Sequence, residues 1–154
     1  MSTVPDTAKT ILLAGGGTGG HIYPNLAIAE RLREFEPTLD MAFLVSARAV
    51  DRRVMEPTGW PFDASPALPM SGRPWTWPRF LHAYRRSVRV TTQLIAQRGI
   101  DALVTTGGFV SAGAMVAAQR AGIPRIMVNL DAVPGKANRA MVRRASVVFS
   151  VYDI

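Results

Sequence analysis

The sequence contains no cysteine and only two histidines among its 154 residues. Disulfide scaffolds, cysteine-ligated zinc and thiol catalysis are therefore excluded, and little is left for any other metal site. No run of about 18 apolar residues is present, so the sequence offers no membrane-spanning helix. Ala102 to Ala118 is the longest uncharged apolar stretch of interest, and Thr105-Thr106-Gly107-Gly108 interrupts it. Asp6 and Lys9 precede only a short apolar run, so the start does not resemble a signal peptide. A soluble, cytoplasmic chain is the expectation. Acidic residues are also missing over one long stretch, from Asp63 to Asp101.

What is present is apolar content enough for one core: 48% of residues are hydrophobic and 19% charged, which excludes a disordered chain. The net charge of +7 is uneven. The acid-free stretch holds Arg73, Arg79, Arg85, Arg86, Arg89 and Arg98, with Trp75, Trp77, Phe80 and Tyr84 between them. A solvated helix face, a nucleic-acid patch and a patch for an anionic membrane surface all fit that description.

Strand-like and helix-like segments alternate, which predicts an α/β fold built on a parallel sheet. Thr10 to Ala14 reads as a buried first strand, and Tyr23 to Phe35 as a helix with Ile28, Leu32 and Phe35 on one face. Met41–Val45 reads as a strand and Arg48–Met55 as a short helix. The proline-rich Trp60–Pro74 stretch predicts a short strand and a loop. Thr76–Gln97 has helical periodicity, with Trp77, Leu81, Tyr84, Val88 and Ile95 on one face and Arg79, Arg86 and Arg89 opposite. A strand at Ala102–Thr105, a helix at Val110–Ala121 and a strand at Arg125–Val128 follow. Lys136–Arg144 then reads as a helix and Ser146–Val151 as a last strand.

The chemistry concentrates where the first strand ends, in Gly15-Gly16-Gly17-Thr18-Gly19-Gly20. A glycine-rich strand-to-helix junction lets backbone approach an anion, and the helix N-terminus adds free N–H groups and partial positive charge. Gly15, Gly17 and Gly20 also fit G-x-G-x-x-G, the dinucleotide pattern. That pattern needs an acid at the end of the second strand to hold ribose hydroxyls. Here that end reads Val45-Ser46-Ala47-Arg48, and Asp40 precedes the strand; Arg48 with Ser46 leaves an NADP-type alternative. No Gly-Lys-Ser/Thr follows, so this is not a P-loop. His21 comes directly after the last glycine, at the helix start. The helix dipole favours the neutral imidazole that a general base needs; a plain N-terminal hydrogen-bonding role is the alternative. Gly107-Gly108-Phe109-Val110-Ser111 forms a second strand-to-helix junction. Two such turns on one crevice suit an extended or diphosphate-bearing ligand.

The residues Gly16-Gly17-Thr18-Gly19-Gly20-His21-Ile22-Tyr23-Pro24 with Leu26-Ala27-Ile28-Ala29 resemble the N-terminal signature of the MurG-like glycosyltransferases of family 28. The resemblance continues through Ser71-Gly72, Gly107-Gly108-Phe109-Val110-Ser111, Gly122-Ile123-Pro124 and Pro134-Gly135-Lys136-Ala137-Asn138-Arg139. It implies a Rossmann-like parallel sheet with helices on both faces, the N-terminal half of a GT-B fold. Residues 1–154 would be a single Rossmann-like acceptor-binding domain, with nothing in them corresponding to the C-terminal donor-binding domain. The implied reaction moves N-acetylglucosamine from UDP-N-acetylglucosamine to a polyprenyl-diphosphate-linked sugar in peptidoglycan synthesis, with no cofactor, metal or nucleic acid involved.

By position, the resemblance makes His21 the candidate base for the acceptor hydroxyl. Gly16, Gly17, Thr18, Gly19 and Gly20 would line the cleft, with Gly107, Gly108 and Ser111 as a second anion-binding turn. Members generally carry tyrosine in place of Phe109. They usually read His-Glu-Gln-Asn where this chain has Val128, Asn129, Leu130 and Asp131; Asp131 would accept from sugar hydroxyls. The resemblance also implies a peripheral site on the inner face of the cell membrane, through Trp75, Trp77, Phe80, Arg79, Arg85 and Arg86. Arginines near anionic lipid contribute about 1 kcal/mol each. A non-catalytic module or a split-enzyme half binding polyprenyl-diphosphate sugars is the alternative.

Overall fold

The computed structural model describes residues 8–17, 20–131 and 136–151. Six strands form one parallel sheet: β1 (Thr10–Gly15), β2 (Asp40–Ser46), β3 (Phe62–Ser65), β4 (Ile100–Gly107), β5 (Arg125–Asn129) and β6 (Val147–Ser150). Their order is β3-β2-β1-β4-β5-β6. Five helices connect them: α1 (Ile22–Phe35), α2 (Ala49–Met55), α3 (Trp77–Arg98), α4 (Phe109–Arg120) and α5 (Lys136–Val142). The parallel α/β sheet expected from the alternating pattern, and the Rossmann-like arrangement that the family resemblance implies, are both observed.

The two-residue period of the strands builds two cores. Leu12, Ala14, Ala42, Leu44 and Leu103 turn to one face and pack with Val88, Leu94, Ile95, Val110, Ala114, Met115 and Met141 from α3, α4 and α5. Leu13, Met41, Phe43, Val45 and Val104 turn to the other and meet Ile22, Ala29 and Met55 from α1 and α2. Helices α3 and α4 approach closely at Ser87 and Gly113, where a Cβ on the glycine would lie 2.0 Å from Ser87 Oγ.

Two helix faces differ from the periodicity. Phe35, expected beside Ile28 and Leu32, is 79% exposed at the end of α1, with the Arg31 guanidinium 5.8 Å from its ring centroid. On α3, Val88 and Ile95 are buried as expected, but Trp77 and Leu81 are exposed. The apolar stripe of α3 is thus covered from Ala83 onward and open to solvent at Trp77 and Leu81. No helix among the described residues is long and apolar enough to cross a membrane.

The order of strands places the switch in winding direction between β1 and β4. In open parallel sheets the ligand crevice lies outside the carboxyl ends of the strands at that point. Both glycine turns sit there, since Gly15 of β1 pairs with Gly107 of β4.

Candidate active site at the paired glycine turns

Gly16 and Gly17 have φ of +155° and +111°, and Gly107 and Gly108 have φ of +105° and +86°. Three of these lie well inside the region that side chains rarely adopt, so the turns require glycine for backbone reasons. They also require it for space. A Cβ on Gly17 would lie 2.1 Å from the Phe109 ring, and one on Gly108 would lie 2.9 Å from His21 Cδ2. Each turn thus rests on a ring from the opposite one.

His21 is the N-cap of α1 and half-buried. Its ring does not cap the helix. Nδ1 lies 3.1 Å from the Thr106 carbonyl oxygen at the end of β4. A carbonyl can only accept, so in the neutral ring Nδ1 carries the hydrogen and Nε2 keeps the lone pair. Thr106 Oγ1 returns a bond of 2.8 Å to the His21 carbonyl, tying the start of α1 to β4 twice. Helix α4 begins opposite, with Gly108 as its N-cap. Neither N-cap makes a side-chain cap hydrogen bond, and neither first turn contains an acid. Two helix N-termini therefore present donors and positive potential to one crevice.

The first turn is held by a residue absent from the sequence expectations. Asp51, fully buried in α2, accepts from Gly17 N–H at 2.7 Å, Ser46 N–H at 3.0 Å and Ser46 Oγ at 2.5 Å, all on Oδ2. Arg48 donates from Nη1 to the Gly17 carbonyl at 2.6 Å, and its guanidinium carbon lies 5.3 Å from the Phe109 ring centroid. The acid sought at the end of β2 is thus delivered from the following helix. The residue is fully buried and its Oδ2 is taken by the protein's own donors, so the carboxylate is not offered to a ribose. A signal existed in the sequence: Asp51 is five residues after Ser46, one helical turn beyond the strand end.

The second turn is held mainly by its own hydroxyls, with one further bond from Ser111 Oγ to the Ala14 carbonyl at 3.2 Å. Gly107 N–H donates to Thr105 Oγ1 at 3.1 Å, Thr105 Oγ1 bonds Ser111 Oγ, and Ser111 Oγ reaches the Gly107 carbonyl at 2.6 Å. Ser111 is fully buried, so its hydroxyl shapes the turn. Asn138 packs against Gly107, where a Cβ would lie 2.7 Å from its Oδ1, and donates to Asp131 Oδ2 at 3.2 Å. Asp131 is exposed, and its carbonyl accepts from the buried Asn129 side chain at 2.8 Å. His21, Gly16, Gly17, Gly20, Gly107, Gly108 and, through Asn138, Asp131 are thus gathered at one sheet edge; Thr18 and Gly19 lie outside the described residues.

A family model described as the glycosyltransferase family 28 N-terminal domain matches residues 11–150. The chain belongs to this family. Among its relatives is the UDP-N-acetylglucosamine--N-acetylmuramyl-(pentapeptide) pyrophosphoryl-undecaprenol N-acetylglucosamine transferase of Leifsonia xyli subsp. xyli. It is 42% identical over 133 residues, which cover 86% of this chain and 37% of the relative. The transferase of the same description from Clavibacter sepedonicus is 38% identical, over 89% of this chain and 38% of its own length. The family 28 chain described here therefore spans well under half the length of these curated relatives. Among solved structures, Acinetobacter baumannii MurG superposes with a TM-score of 0.81 at 23% identity, covering 94% of this chain and 42% of that one. Staphylococcus aureus MnaA, solved with UDP, gives 0.64 at 19% identity, over 92% and 37%. These likenesses show the fold: a Rossmann-like sheet of the kind that forms one half of a GT-B enzyme.

The exposed basic stretch is partly assembled. Trp75 and Trp77 are 75% and 51% exposed, and Arg79, Arg85 and Arg86 are exposed with them. Phe80 is half-buried instead, stacked on Tyr84 at 6.3 Å between centroids.

Proposed function

We propose that this family 28 domain is the acceptor half of a transferase that moves N-acetylglucosamine from UDP-N-acetylglucosamine to a polyprenyl-diphosphate-linked muramyl sugar. The observation that carries the reading is the His21 ring, with Nδ1 on the Thr106 carbonyl and Nε2 left as the acceptor between two glycine turns. In this reading the acceptor diphosphate lies against the N-termini of α1 and α4, where aligned dipoles and unpaired N–H groups favour it. His21 Nε2 takes the proton from the acceptor hydroxyl as that oxygen attacks the anomeric carbon, and UDP departs with the electron pair of the broken glycosidic bond. Asp131 accepts from a sugar hydroxyl at the rim. Donor contacts come mostly from the part of the relatives beyond the matched region, so residues 1–154 alone transfer no sugar.

The same reading places the domain at an anionic membrane surface, with exposed Trp75 and Trp77 at headgroup depth and Arg79, Arg85 and Arg86 against lipid phosphates. The test of the catalytic assignment uses the two-domain transferase with this chain as its acceptor half. His21→Ala is expected to lower kcat by about 10²–10⁴ with acceptor KM nearly unchanged. A change confined to KM would reassign His21 to anchoring.

A further inference from the structure

The helices on one side of the sheet carry charge of a single sign. Neither α3, α4 nor α5 contains an aspartate or glutamate. Between α3 and α4 lies an open groove of about 800 Å³. Arg85 and Arg89 line it from α3, Arg120 from the end of α4 and Arg144 from the turn after α5. None of the four makes an ion pair among the described residues. Arg144 is held in place: its Nη1 donates to Gln119 Oε1 at 2.8 Å, and its carbonyl accepts from Arg125 Nε at 2.7 Å. The floor is apolar, with Val88 buried and Tyr84 and Val116 half-buried. Four guanidiniums around one groove, on helices without a carboxylate, repel one another until an anion enters.

Shape selects among anions. A flat bilayer meets only what protrudes, and the exposed apolar side chains of α3, Trp77 and Leu81, come before the groove. Its own apolar atoms lie at the bottom. A nucleic acid gains from free rings on which bases stack, whereas Tyr84, the one ring lining this groove, is stacked on Phe80. An amphipathic helix reaches such a floor with its apolar stripe while its flanks meet the rim. Tyr84 and Val88 stand one turn apart on α3 and offer a ridge for it to pack on. We propose that the groove docks an acidic amphipathic helix of a partner protein. Its aliphatic side chains lie on Tyr84, Val88 and Val116, and its carboxylates pair with Arg89, Arg120 and Arg144. Arg85 is shared with the exposed basic stretch at the start of α3; the other three arginines are not. Phe109 and Arg120 stand at opposite ends of α4, about 16 Å apart along its axis. The partner therefore sits away from the glycine turns and leaves the cleft open.

The test is fluorescence anisotropy with a labelled synthetic peptide of about four helical turns, leucines on one stripe and glutamates on its flanks. It is expected to bind with micromolar Kd at about 0.15 M salt. Arg89→Glu with Arg120→Glu, both exposed positions, is expected to weaken it at least about tenfold. Arg52→Glu with Arg53→Glu makes the same change in net charge at exposed positions of α2, on the other side of the sheet, and should cost less than about threefold. A peptide of the same composition, with leucines dispersed around the helix, should bind at least about tenfold more weakly because it cannot fill the floor. Equal losses in the two arginine pairs, equal affinity of the two peptides, or no binding of the first overturns the proposal. Phosphatidylglycerol vesicles report on the other occupant. If they displace the peptide and themselves lose the Arg89→Glu, Arg120→Glu chain, the groove is a membrane contact and the proposal falls; peptide binding that persists beside them supports it.

Discussion

The two glycine turns look alike in sequence and are built differently. The first is held from outside, by a carboxylate and a guanidinium that α2 brings to the Gly17 peptide. The second is held mainly from inside, by the Thr105 and Ser111 hydroxyls that close on Gly107 within a few residues, with Ser111 Oγ also donating to the Ala14 carbonyl of β1 and Asn138 packed on Gly107. The two are joined through rings, Phe109 on Gly17 and His21 on Gly108. A local hydroxyl network makes the second turn a fixed feature of β4 and α4. The first depends on α2, so its shape reports on a separate element. Cleft geometry is therefore a property of three helices, and the glycines are where those helices are allowed to meet.

Replacing Gly17 strikes the joint between the turns and has the largest expected effect. Gly17→Val puts a branched side chain at φ +111° and 2.1 Å from the Phe109 ring. Backbone strain and overpacking together predict a loss of about 3–5 kcal/mol in denaturant unfolding. Phe109→Ala in the same chain relieves the steric part and leaves the strain, so the double mutant is more stable than the sum of single losses. Simple additivity in that cycle would show that the rings do not join the turns.

How much of this was legible follows the range of each interaction. Strand and helix positions rest on short periods, and the strands from Thr10, Met41 and Arg125 stand within a residue or two of where those periods place them. Gly107-Gly108 and the His21 position at a helix start are likewise local. For Asp51 only the spacing from Ser46 is local; its hold on Gly17 depends on α2 folding back so that a residue 34 positions away meets that N–H. Nor was the exposure of Trp77 and Leu81 legible, since periodicity fixes a helix face but not which of its turns the rest of the fold covers. Sequence alone lets Arg48 suit a 2′-phosphate; its bond to Gly17 and its place over Phe109 come only from the fold.

Asp51 is where the dependence of the first turn on α2 can be cut. Asp51→Ala strands two buried N–H groups and the Ser46 hydroxyl, a loss of about 2–4 kcal/mol. Asp51→Asn keeps an acceptor oxygen and restores most of it. Hydrogen exchange separates the turns: Gly17 N–H should lose protection in Asp51→Ala, while Gly107 N–H, bonded to Thr105 Oγ1, should keep it. Parallel loss at both amides would mean that the turns open as one unit.

The smallest effect is expected where the two turns are tied by backbone as well as side chain. Thr106 is 1% exposed, donates from Oγ1 to the His21 carbonyl and receives Nδ1–H of His21 on its own carbonyl. Thr106→Val has nearly the same shape and removes only the hydroxyl. Loss of one partly buried hydrogen bond is worth about 1 kcal/mol, read from thermal or denaturant unfolding. The imidazole keeps its hold, because the main-chain oxygen that orients it survives the substitution. Nitrogen-15 shifts of His21 should therefore report the same tautomer in Thr106→Val as in the unmodified chain, with the hydrogen on Nδ1. A shift to the other tautomer would show that the hydroxyl, through the start of α1, sets the ring orientation, and that the carbonyl contact alone does not hold it.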